Sequence, residues 1–196
     1  MKSVNYVWSS TGGLQHQFVH FVSQFNGNGN FNLFFWEFKM NYKLKYNSWK
    51  NYSSEPEGLL LHGTAVSVEK KGLLILGPSG SGKSRLALEM IVLGATLICD
   101  DRVWLKKAAA GLHLLAHERL SGSIEARGLG LLSSTSTTRI PLAYCLDFAL
   151  ENGERLPLIS HRTKLGHPIP ILSGRPDVPQ AAALILLLKN GFAKND

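Results

Sequence analysis

Lys83 and Ser84 close the segment Gly77-Pro78-Ser79-Gly80-Ser81-Gly82-Lys83-Ser84, which fits the spacing G-x-x-x-x-G-K-[ST]. The residue types in that pattern name a chemistry. Gly77, Gly80 and Gly82 can take backbone angles closed to other residues, so backbone N–H groups can converge on phosphate oxygens. A helix starting behind them would add its positive end to the same anion site. Lys83 is placed to reach the β- and γ-phosphates of a nucleoside triphosphate, and the Ser84 hydroxyl to ligate Mg²⁺. Further along, Asp100 and Asp101 supply two adjacent carboxylates. Successive side chains on an extended chain point opposite ways, so one of them should face the phosphate. The other would orient a neighbour or contact a metal.

These groups need elements to hold them. Leu73-Leu74-Ile75-Leu76 reads as a buried strand running into the glycine segment. From Lys83 on, Leu86, Ala87, Met90 and Ile91 recur at helical spacing, and Gly94 ends the helix. Thr96-Leu97-Ile98-Cys99 is the next strand, with the aspartate pair at its end. A compact strand–helix–strand unit predicts a parallel crossover, which brings both strand ends to one edge of a sheet, where α/β proteins bind ligands. Upstream, Leu59 to Val68 and the turn Glu69-Lys70-Lys71-Gly72 predict a β-hairpin feeding the glycine loop.

Downstream, Arg102 to Lys106 and Leu112 to His117 read as antiparallel strands. Ile124-Glu125-Ala126-Arg127-Gly128-Leu129-Gly130-Leu131, which follows Ser121-Gly122, reads as a mobile loop at the mouth of the site. Ser133 to Thr138 is a polar linker and Pro141 to Phe148 a strand. The apolar run Ala181 to Leu188 follows Pro179 and stops at Lys189-Asn190-Gly191, the signature of a final helix too short to cross a bilayer.

The chain has 196 residues, enough for one α/β domain with a true core. Its 21 Lys and Arg exceed its 14 Asp and Glu, a formal charge of +7 that favours anionic partners. The basic residues are scattered, which argues against a nucleic-acid groove. Cys99 and Cys145 lack CxxC spacing and suggest a reducing cytosol without a zinc site. No signal peptide or membrane span is read, so a cytoplasmic protein is expected. Residues 1–56 differ in kind: rich in Asn, aromatics and Ser, with no chemical motif. A loosely ordered extension, a partner-binding arm, and a start-site artefact upstream of Met40 all fit. The favoured expectation is an extension that adds nothing to the active site, followed by a catalytic domain over 57–196.

Together these stretches resemble the catalytic domain of HPr kinase/phosphorylase, which phosphorylates a serine of the phosphocarrier HPr. Leu61-His62-Gly63, Gly77 to Ser84, Leu97 to Asp101 and Ile124 to Gly130 match in order and spacing. The last resembles the family's E-[IVA]-R-G-[LV]-G signature. Glu154-Arg155-Leu156-Pro157 resembles a fifth, weaker stretch. The likeness covers roughly Leu59 to Leu172 and looks closest to the short alphaproteobacterial form, which lacks the family's separate N-terminal domain.

The resemblance implies an α/β P-loop fold related to phosphoenolpyruvate carboxykinase, with a mixed sheet and flanking helices. It implies an ATP- and Mg²⁺-dependent protein-serine kinase acting on an HPr-like carrier and regulating carbohydrate and phosphotransferase-system metabolism. Neither nucleic acid nor membrane is an implied partner, and a homo-oligomer is left open. His62 would pair with the aspartates, Lys83 would bind phosphate, and Asp101 or Asp100 would take the serine proton. Ser84 and Glu125 would ligate Mg²⁺, and Arg127 and Arg155 would stabilise the transferring phosphoryl group. The region before the final helix keeps only Gly174-Arg175 of the stretch associated with the family's phosphorylase activity, which puts that activity in doubt. That departure motivates the alternative of a nucleotide-binding regulator with little kinase activity, signalling to phosphotransferase or two-component partners.

Overall fold

The computed structural model describes residues 5–6, 19–25, 31–37, 46–117, 122–150, 159–175 and 177–193. The chain divides into two compact units, Met1–Leu44 and Lys45–Asp196. The described part of the first unit is an antiparallel sheet of β1 (Asn5–Tyr6), β2 (Val19–Phe25) and β3 (Phe31–Glu37). VHFVSQF and FNLFFWE are rich in the branched and aromatic residues that suit a pleated surface. These strands fall within residues 1–56, the segment read from sequence as an extension without a chemical motif.

The second unit is a mixed α/β fold with a large mixed sheet and few helices. Its spine is β5 (Gly58–Val68). The first half of β5 pairs with β4 (Asn51–Glu55) and β8 (Arg102–Ala108). The second half pairs with β6 (Lys71–Leu76) and β7 (Thr96–Cys99). β9 (Gly111–Ala116) follows β8, and β12 (Ile140–Asp147) pairs with both β6 and β9, closing the path into a ring. β13 (Ser160–Lys164) and β14 (His167–Ser173) extend the sheet beyond β12. Because β4 belongs to this sheet, residues 46–56 join the second unit structurally, whereas the sequence reading placed them with the extension.

Alternation explains β6. Leu74 and Leu76 enter a core shared with Leu61, Val103, Leu105 and Leu114, while Leu73 and Ile75 face the helices. Both faces are covered, so the strand reads as a continuous apolar run. The helix face takes α1 (Lys83–Val92) through Leu86, Ala87 and Met90, and α2 (Ala181–Asn190) through Leu184, Ile185 and Leu188. Gly94 (φ 100°) and Gly191 (φ 77°) follow the two helices in conformations that favour glycine.

The hairpin expected before the glycine loop is β5–β6, turning at Glu69 (φ 51°) and Lys70 (φ 62°). β6 and β7 both run antiparallel to β5, and are therefore parallel to each other with β5 between. Their ends share one edge, as the sequence implied. One expectation is corrected. Residues 124–131 do not form a loop but the core of a hairpin, β10 (Ser123–Ala126) with β11 (Gly130–Ser133). Ile124 and Ala126 are buried while Glu125 points outward, so period-two alternation prevails over the flanking glycines.

Candidate active site

The glycine loop takes the backbone its residues permit. Gly77, Gly80 and Gly82 have φ of 146°, 77° and 96°. At Gly77 a Cβ would lie 2.8 Å from both Phe148 Cβ and Ser81 Oγ, so the position is also sterically closed to a side chain. Gly82 precedes the first turn of α1 and makes no side-chain cap, which leaves N–H groups of that turn for a ligand. The cleft here has a volume of about 870 Å³ and is lined by residues 79–84, His62, Asp100, Asp101, Glu125 and Arg127, among others.

Lys83 is buried, and its ammonium donates to Gly77 O (3.1 Å) and Pro78 O (3.0 Å) and lies 3.0 Å from His62 Nε2. An ammonium has only donors, so His62 Nε2 accepts and the ring proton sits on Nδ1. Nδ1 lies 3.1 Å from Asp101 Oδ1, at ion-pair distance but off the line of a hydrogen bond. Burial, then the charge of Lys83, holds the His62 imidazole below the usual histidine pKa, against the opposing pull of Asp101 and Asp100. Burial likewise lowers the Lys83 pKa, opposed by the same two carboxylates. The site thus contains a neutral histidine between a lysine and an aspartate.

The two aspartates differ sharply. Asp100 is buried, and its Oδ1 accepts from Thr64 Oγ1 (2.6 Å) and Ser84 Oγ (2.9 Å) while Oδ2 accepts from Glu125 N (3.2 Å). Asp101 is 55% exposed and has φ 71°, a left-handed angle that is strained for a residue with a side chain. Its carbonyl accepts from Gly63 N at 3.2 Å, which ties the strained residue to β5. Its Oδ2 lies 3.6 Å from Arg102 Nε.

His62, Ser79 to Ser84, Asp100, Asp101, Glu125 and Arg127 are therefore brought to one cleft, with Gly77 and Pro78 joined to it through the Lys83 ammonium, while Arg155 lies outside the described residues. Sequence reasoning missed Thr64, whose hydroxyl helps fix Asp100, and Phe148, Asp177 and Gln180, which line the cleft with Arg175. Arg175 donates from Nε and Nη2 to the two carboxylate oxygens of Asp177, at 3.0 and 2.8 Å. Thr64 follows His62-Gly63 directly, but a single threonine in an apolar strand carries no motif. As for Mg²⁺, no group of three or more His, Cys, Asp or Glu side chains converges among the described residues. The donors present are hard oxygens, the Ser84 hydroxyl and the carboxylates of Asp100 and Glu125. That set fits an ion held by one or two carboxylates together with phosphate and water.

The fold and cleft define a mixed α/β domain with a glycine-rich anion cradle facing a pair of aspartates. Residues 56–137 match the family model of the HPr Serine kinase C-terminal domain. It is 43% identical over 74 residues to an HPr kinase/phosphorylase of Geobacter sulfurreducens, 37% of this chain and 23% of that one. It is 46% identical over 74 residues to one of Bordetella pertussis, covering 37% and 24%. It is 38% identical over 96 residues to one of Clostridium kluyveri, covering 44% and 31%. The matches thus span a third or less of the length of these curated relatives. The solved structure of the Hpr(Ser) kinase/phosphatase from Coxiella burnetii superposes with a TM-score of 0.57 at 25% identity, covering 67% of this chain and 94% of that one. No helix among the described residues is long and apolar enough to cross a membrane.

Proposed function

We propose that this chain is a cytoplasmic, ATP- and Mg²⁺-dependent protein-serine kinase acting on an HPr-type phosphocarrier, and so a regulator of carbohydrate and phosphotransferase-system metabolism. The fold to which this reading assigns it is a P-loop domain of the HPr kinase and phosphoenolpyruvate carboxykinase type, with its catalytic part over 57–196. The observation that carries the reading is the convergence of Lys83, His62 and the two unlike aspartates at one sheet edge, in a segment of HPr-kinase type.

The residues divide the work by their surroundings. Backbone N–H groups of Gly77 to Ser84, with Lys83, hold the phosphates of ATP. Ser84, Asp100 and Glu125 are the oxygens that would hold Mg²⁺, which when bound neutralises charge on the β- and γ-phosphates. Asp100 is held by Thr64, Ser84 and the Glu125 amide, so it serves as a fixed orienting carboxylate. Asp101 is the accessible carboxylate and the base. It takes the serine proton as the serine oxygen bonds the γ-phosphorus, and the bond to the β–γ bridging oxygen breaks to release ADP. His62, neutral, carries its proton on Nδ1, the nitrogen beside the Asp101 carboxylate. Arg127 and Arg155 meet the charge of the moving phosphoryl group.

The test is transfer of labelled phosphate from [γ-³²P]ATP, with Mg²⁺, to purified HPr. Label on a serine of HPr is expected. Unlabelled HPr, under conditions in which a known relative labels it, overturns the reading.

A further inference from the structure

Tyr52 lies outside every motif and outside the lining of the cleft, yet its ring packs against His62. On β4, Asn51 pairs with Leu61 and Ser53 with Leu60, so Tyr52 is an extra residue without a partner, a β-bulge. Bulges turn a side chain out of the regular alternation, and they recur beside active sites for that reason. Here the bulge sits next to the β5 position preceding His62. The Tyr52 ring meets the His62 imidazole edge to face, with ring centres 6.1 Å apart and planes at 90°, within the favoured range for aromatic pairs. The Arg102 guanidinium lies over the same ring, 5.3 Å from its centre. Arg102 Nε is in turn 3.6 Å from Asp101 Oδ2, while His62 Nδ1 is 3.1 Å from Asp101 Oδ1. Burial does not account for a bulged aromatic here, because Tyr52 is 59% exposed. Its contacts with two partners of one carboxylate do.

We propose that Tyr52 is a positioning residue, a bulged aromatic bracket that holds the His62 imidazole and the Arg102 guanidinium against the two oxygens of Asp101. The bracket rests on the phosphoryl-transfer reading above, since it gives Asp101 its orientation toward an incoming hydroxyl. Tyr52 acts through His62 and Arg102, the two groups its ring meets. The groups that face His62 are Lys83 from α1, Asp101 and Asp100 from the end of β7, and Tyr52 from β4. Of these, only Tyr52 is uncharged, so its loss changes the packing of the ring without removing a charge.

The test uses the full chain with ¹⁵N-labelled histidine, His62 being assigned by the signal missing in His62→Gln. In the parent protein the His62 nitrogens should show one fixed Nδ1–H tautomer. Tyr52→Ala should move both shifts toward the tautomer-averaged value, and Tyr52→Phe should restore them. Tyr52→Leu keeps apolar bulk on the exposed strand without the ring, and it should behave like Tyr52→Ala while holding its fold by circular dichroism. In parallel, transfer to HPr should fall about tenfold in Tyr52→Ala and recover in Tyr52→Phe, the size of two modest aromatic contacts. Unchanged His62 shifts in both Tyr52→Ala and Tyr52→Leu, or no restoration by Tyr52→Phe, overturn the bracket. If the shifts respond as stated but the parent labels no HPr, the bracket stands and the kinase reading falls.

Discussion

At the scale of single residues, the chemistry rests on groups with few alternatives. Lys83→Ala removes the ammonium proposed to bind phosphate, and transfer should fall at least ~10²-fold, with an unchanged circular-dichroism spectrum. Asp101→Asn removes the exposed carboxylate proposed as the base and should cost ~10²–10⁴-fold in kcat with little change in ATP affinity by calorimetry. His62 gives the pH dependence. Its folded pKa lies below the ordinary 6.5, so the imidazole is neutral at pH 7 and accepts from Lys83. As pH falls through that lower value, the ring protonates and repels Lys83, and transfer should drop. Stability moves the same way. Between the two values the unfolded chain binds a proton that the folded one does not, so the contribution is present above 6.5 and lost as pH falls. His62→Gln should remove this acid limb from both profiles. Lys83, Ser84 and the aspartates were legible in the sequence because each belongs to a short, local pattern. Thr64 and Tyr52 were not, since a hydroxyl on Asp100 and a ring on His62 come from strand register alone.

At the scale of elements, the sheet carries its tolerances unevenly. Gly63 marks where β5 passes from one set of partners to the other, and a Cβ there would lie 2.9 Å from Ile75 O and from Leu76 Cδ2. Gly63→Ala should destabilise by about 1–3 kcal/mol, read as a lowered denaturant midpoint. The β5–β6 turn offers the opposite case. Glu69 and Lys70 both occupy left-handed angles that glycine and asparagine take at less cost. Replacing the pair by Asn-Gly should stabilise by about 1 kcal/mol, seen as a higher Tm with transfer unchanged. The hairpin β10–β11 shows why one element was misread. Gly128 and Gly130 signal a loop, and with φ of 86° and 115° they do make the turn. The alternation of Ser123 to Ala126 was too short to outweigh them in sequence, and only its burial against α1 and β6 residues reveals a strand.

At the scale of the whole molecule, the boundary between the two units can be tested directly. The segment just before β4 places buried Trp49 in the core and donates Ser48 Oγ to Asp147 Oδ1 at 2.6 Å. A fragment of residues 45–196 should keep the cooperative unfolding of its unit. A fragment of 57–196 loses Trp49, Ser48 and β4 and should be less stable by several kcal/mol, since removing a buried tryptophan side chain alone costs about 3–5 kcal/mol. Sequence alone placed this boundary late because residues 46–56 carry no motif; their role is to complete a sheet whose other strands lie far along the chain.

The ring of strands also sets an order of events during synthesis. β6 is paired with β5 soon after the hairpin emerges, but its second neighbour, β12, begins at Ile140. Until the ribosome has delivered that stretch, β6 presents an apolar edge to any passing chain. A nascent protein halted between α1 and β12 therefore already holds its complete glycine loop, yet is at its most prone to aggregate. Chaperone demand should peak in that interval, and puromycin-released chains ending before Ile140 should sediment, while those ending after Ser173 stay in the supernatant.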